Sequence, residues 1–330
     1  MIRGQYEEHD KIIAPAHAGA MARRLEGAVD EWFARYAEEA HVGPARYKPG
    51  LRGVPSTTAM SPRDRVRMRL AESLRDYKRS RDNSYDALLD QEALDEYARD
   101  TNQFVRDFLK GIPILNKARN APYEDLEPWK RRLHVACKAD SRAIFQVIQR
   151  LVAFAADFRR LHTWESIAAV ADPASLPLGP VEIRREDLED DAPRRGASRV
   201  AAGMNVRGAI GLGITTALLH YREPEFLAWR SRFAMSGLHF LAGDYTGGLE
   251  SSEFILWDVS SGGCHANYTY PYRLFMFHVA RVANRLEAAT EALGVEFPRA
   301  HRMVAVDDFL HFVADANAAT MKSWMPGEEA

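Results

Sequence analysis

Residues 16–41 read AHAGAMARRLEGAVDEWFARYAEEAH, and the spacing of their apolar residues decides the fold class. Met21, Leu25, Val29, Trp32, Phe33 and Tyr36 recur three and four positions apart. At about 3.6 residues per turn that spacing gathers them into one stripe of a helix. Pro15 stands ahead of the stretch and Gly43-Pro44 behind it, a start and a stop. The same period returns along the chain. After a Gly/Pro-rich loop over 43–60, Ser61-Pro62 opens a second helix, with Ser as N-cap and Pro at the first helical position. A third helix is expected from Asn83 or Ser84 to about Lys110, where Gly111-Ile112-Pro113 stops it. A long one runs from Trp129 to His162 and a short one from Trp164 to Val170. Further helices are expected near 207–221, 224–242, 271–293 and 303–320.

Only Glu253–Val259 (EFILWDV) reads as a strand, flanked by Gly247-Gly248 and Gly262-Gly263. Strands do not alternate with helices, so a doubly wound sheet is excluded. The expectation is an all-α, multi-helix globular fold with at most a minor strand near 253–259. Its organisation is a helical region with basic faces over 1–171, a charged Pro-rich linker or loop over 172–203, and a second helical domain over 204–330.

Composition narrows the function classes. The 330 residues carry 44 Lys and Arg against 46 Asp and Glu, so a globally basic, histone-like binder is excluded while a local basic face is not. Two cysteines, Cys137 and Cys264, are too few for a disulfide framework or a Cys-rich zinc site. The N-terminus MIRGQYEEHD has no apolar core, and no apolar run reaches the length of a membrane span. A cytoplasmic protein with no membrane partner is the expectation.

Four constellations could carry chemistry. The first is basic. Between Arg63 and Asp82 stand Arg63, Arg65, Arg67, Arg69, Arg75, Lys78, Arg79 and Arg81 against four acids, and the Trp129–His162 helix adds Lys130, Arg131, Arg132, Lys138, Arg142, Arg150, Arg159 and Arg160 against only Asp140 and Asp157. Such faces hold phosphate backbones through counterion release; a solvated helix surface is the alternative. The second is the glycine-rich Gly203–Ala217 stretch. Its Gly211-Leu212-Gly213 turn feeds an apolar helix and so places backbone amides at a helix N-terminus, where the dipole favours an anion.

The third is histidine with carboxylate. Asp307, His311 and Asp315 share one helical face, and Glu38 and His41 are three apart, the arrangement helical bundles use for iron or manganese. His220, inside ALLHY, reads instead as a hydrogen-bonded core residue. The fourth is the loop Ser260–Tyr272, SSGGCHANYTYPY, in which His265, Tyr268 and Tyr270 are pocket candidates for an aromatic ligand.

The stretch GLGITTALLHYREPEFLAWRSRFAMSGL (Gly211–Leu238) resembles the hairpin of the helix-hairpin-helix DNA glycosylase superfamily. The later YRLFMFHVARVANRL and VAVDDFLHFV are similar to closing helices of its divergent members. The resemblance covers about the last third of the chain. It implies DNA as partner, with the amides of Gly211, Leu212 and Gly213 on a phosphate. The superfamily's catalytic Asp falls on Trp229 and its lyase Lys on Thr215. The resemblance therefore implies DNA binding in a catalytically degenerate member, and no catalytic residue is assigned.

Two functions follow. The first is a nucleic-acid-binding protein without a cofactor, holding phosphates with Arg63, Arg67, Arg69, Lys130, Arg131 and the Gly211–Gly213 turn. The alternative is a helical haem- or iron-dependent oxygenase acting on an aromatic small molecule, drawing on 11 histidines and the candidate ligands Glu38, His41, Asp307 and His311.

Overall fold

The computed structural model describes residues 13–39, 60–111, 140–181, 212–243, 257–258, 265–266 and 271–323. Its chain divides into two compact units, Met1–Arg75 with Thr163–Glu182 and Pro224–Ala330 forming the first, and Asp76–His162 with Ile183–Glu223 forming the second. The fold is all-α.

In the first unit, α1 (Pro15–Glu38) buries the expected stripe, with Leu25, Val29 and Tyr36 fully enclosed. The helix α2 (Pro62–Ser84) begins where Ser61 accepts the Asp64 amide at 3.2 Å, the N-cap read from Ser61-Pro62. The short α7 (Trp164–Ala168) carries a capping box between Thr163 and Ser166. Its last carbonyls are taken by the Arg281 guanidinium, which donates to Ala168 and Val170. Two 3-10 turns follow, Pro173–Ser175 and Gly179–Val181, and bury Leu176, Leu178 and Val181.

The core of this unit is helix on helix: α9 (Arg232–Leu241) crosses α11 (Arg302–Ala316), and α1 packs along α10 (Tyr272–Ala292). The α9–α11 crossing depends on Gly237, where a Cβ would stand 2.2 Å from the Leu310 carbonyl oxygen. Gly243 and Gly294 take φ of 68° and 73° just beyond α9 and α10, the left-handed turn that ends helices. A short α12 (Ala318–Ser323) follows α11.

The expected strand survives as β1 (Trp257–Asp258), paired antiparallel with β2 (His265–Ala266), Trp257 opposite Ala266. The helix expected over 224–242 begins only at Arg232. Residues 223–231 are non-helical, and Ser231 caps α9 by accepting the Ala234 amide at 3.0 Å.

In the second unit the helix expected over 83–110 is three helices, α3 (Asp86–Leu89), α4 (Gln91–Tyr97) and α5 (Thr101–Gly111). Two aspartates divide it. Asp90 accepts the Ala93 amide, and Asp100 accepts those of Asn102 and Gln103, so each starts a new helix inside the apolar period. Asp140 caps α6 (Ser141–Leu161) in the same way, at 2.9 Å from the Ala143 amide. Phe104 on α5 meets Phe145 of α6 edge-on at 5.1 Å. The α6 helix also packs on α8 (Leu212–Arg222), whose Ile214 to Tyr221 are all buried. A helix enclosed all round shows little amphipathic period.

Candidate functional site

The α2 helix sorts its arginines. Residues four apart share a face, and Arg65 and Arg69 turn inward while Arg63, Arg67 and Arg75 stand exposed. What draws the inward pair is the end of α1. The last carbonyls of a helix have no partner within it and carry its negative pole, so a cation there is favoured. Arg65 donates to the Glu38 carbonyl and, with Nε and Nη2 at 3.0 and 2.6 Å, to the Met60 carbonyl. Arg69 Nη2 reaches the Glu39 carbonyl at 3.4 Å.

Arg69 is 3% exposed. Its guanidinium lies 4.4 Å from the Tyr36 ring centroid and 4.8 Å from that of Phe312, a desolvated cation–π contact with both rings. Tyr36 donates to Asp308 Oδ2 at 2.6 Å. Burial first, and the Asp308 carboxylate second, push the Tyr36 hydroxyl well above its usual range, with Arg69 pulling the other way. Buried Tyr36 and Arg69 and the half-buried Asp308 thus form a polar cluster walled by Phe309 and Phe312, at 5.6 and 5.4 Å from the Tyr36 ring. Arg69, expected among the phosphate contacts, is part of the core and presents no face to solvent.

The outward arginines are available to a partner. Arg67 is 69% exposed along its side chain and pairs with Asp64 at 2.8 Å, an i,i+3 surface pair that contributes at most a few tenths of a kcal/mol. Arg63 and Arg67 are about 6 Å apart along the axis, and Arg75 lies about two turns further on and about a quarter turn round the helix from Arg67. On α6, Arg142, Arg150, Arg159 and Arg160 are exposed. Arg160 pairs with Asp157 at 3.0 Å, and Arg159 reaches the buried Glu223 at 3.5 Å. The same unit carries a run the basic reading left out. Between residues 86 and 107 stand seven acids against Arg99 and Arg106, and α5 from that run packs on α6.

The remaining candidates are dispersed. Lys130, Arg131, Gly211, His41, Tyr268 and Tyr270 lie outside the described residues. Leu212 is buried and Gly213 exposed in the first turn of α8, with open space where a Cβ would stand. The α8 and α9 helices of the hairpin-like stretch belong to different units. Trp229 is partly exposed in the non-helical segment before α9, and Thr215 is buried in α8. Glu38 is exposed, with its carbonyl bound to Arg65. His265 lies on β2. Tyr272, from the aromatic loop, is an internal anchor that donates to the Ala228 carbonyl at 2.8 Å.

On α11 the predicted proximity of Asp307 and His311 is present, with His311 Nε2 3.7 Å from Asp307 Oδ1 and its ring 4.7 Å from that of Phe233. Among the described residues no group of three or more His, Cys, Asp or Glu converges to hold a metal ion. His220 is buried, edge-on to Tyr77 at 5.5 Å. Among the described residues a deeply lowered pKa is found at His278, in the second turn of α10. Burial, then the neighbouring His17 and Arg281, bring it down to about 3. Among the described residues no helix is long and apolar enough to cross a membrane.

No protein-family model matches this chain, and neither a characterised protein nor a solved structure matches it.

Proposed function

We propose that the protein binds the phosphate backbone of a nucleic acid through the outward arginines of α2. The observation that carries this reading is the sorting itself. Arg65 and Arg69 are consumed by the α1 carbonyls and the aromatic cluster, while Arg63, Arg67 and Arg75 remain exposed. A rigid row of guanidinium groups at helical spacing matches a chain of phosphates and carries no sequence information. Lys130, Arg131 and the amides of the Gly211–Gly213 turn are further phosphate contacts in this reading. Base excision is not part of it, because Trp229 and Thr215 occupy the positions where the resemblance requires an acid and an amine.

The test is fluorescence anisotropy with single- and double-stranded DNA and RNA oligonucleotides at stepped salt. Affinity should fall steeply as salt rises. Arg63→Glu, Arg67→Glu and Arg75→Glu together should weaken binding at least about tenfold for every sequence and flatten the salt slope by about three. Arg69 is left intact, since its loss would disturb folding rather than a surface. No binding at low salt, or an unchanged slope in the triple variant, would refute the assignment.

A second reading has its own observation. This reading is the helical haem- or iron-dependent oxygenase, and what favours it is the pair of candidate ligands on α11, His311 Nε2 standing 3.7 Å from Asp307 Oδ1. An aromatic small molecule would be the substrate of such an enzyme. A Soret band or near-stoichiometric iron in the purified protein, lost in His311→Ala but retained in a surface histidine variant, would establish this reading. A colourless, iron-free, folded preparation would exclude it.

A further inference from the structure

No further inference is drawn: the strongest candidate, the shallow groove along the seam of α1 and α10 lined by Glu26, Gly27, Asp30, Asn284 and Arg285, carries nothing because Arg285 is already paired with Asp30 and nothing in the structure shows what covers it.

Discussion

The two units bury tyrosine in opposite ways. In the first, Tyr36 gives its proton to a hydrogen bond with Asp308 and its ring face to Arg69, so one aromatic residue joins an anion to a cation. In the second, Tyr77, Tyr221 and Tyr85 stack as parallel rings, with centroids 5.2 and 3.9 Å apart, and the Tyr77 hydroxyl donates to the Tyr221 carbonyl at 2.9 Å. Both arrangements disfavour the tyrosinate, the first through burial and Asp308, the second mainly through burial. The first is a set of mutually dependent parts, since removing one leaves a buried charge without its complement. The second is dispersion and offset stacking, which degrades gradually.

That contrast predicts unequal sensitivity. The largest effect should come from Gly237→Ala, which strikes the first unit where two backbones touch. The added methyl would meet the Leu310 carbonyl, and no side chain can yield in its place. A loss of about 3 kcal/mol is expected, read as a lowered midpoint in thermal or urea unfolding; a near-native midpoint would refute a close α9–α11 contact at Gly237.

Acid comes next. The His278 pKa is lowered from 6.5 to about 3, so the neutral form is favoured by folding. Its contribution is whole above the unfolded value and declines as pH falls toward the folded one, at up to about 1.4 kcal/mol per pH unit. Stability should therefore drop between about pH 6 and pH 3, and His278→Phe should flatten that limb in unfolding curves measured across the range. An unchanged limb would assign acid sensitivity to carboxylates alone.

The smallest effects isolate the comparison itself. Tyr36→Phe removes a hydrogen bond to a half-buried carboxylate and should cost about 2 kcal/mol, whereas Tyr77→Phe removes one to a neutral carbonyl and should cost about 1 kcal/mol. Equal losses would erase the distinction between the two units. Restoring most of the Tyr36→Phe loss with Asp308→Asn in the same chain would sharpen it.

How much of this was legible in the sequence follows from which interactions are local. The stripe of α1, the Ser61 cap and the long α10 announce themselves, because period and capping act within a few residues. Asp90 and Asp100 read as ordinary charges in a periodic stretch, yet each is a cap. An aspartate's preference for its own downstream amides competes with helix continuation, and composition does not say which prevails. The basic character of α2 was plain, but the fate of each arginine was not. Arg65 and Arg69 are chosen by carbonyls some 27 and 30 positions earlier, and nothing within α2 marks them out from Arg63 and Arg67. Asp307 and His311 meet because i,i+4 spacing is local; Tyr36 and Asp308, 272 positions apart, meet only in the fold.

Arg65 also has a topological consequence. One guanidinium holds the carbonyls of Glu38 and Met60, residues 22 positions apart, so it closes a loop in the chain with a single side chain. The entropy of joining two points of a chain grows only with the logarithm of the number of residues between them, and doubling that number costs about 0.6 kcal/mol. The number of residues between α1 and α2 is therefore weakly constrained by stability. Length can drift there through insertion or deletion, while the one arginine that joins the ends cannot be exchanged for a side chain lacking its fork of donors.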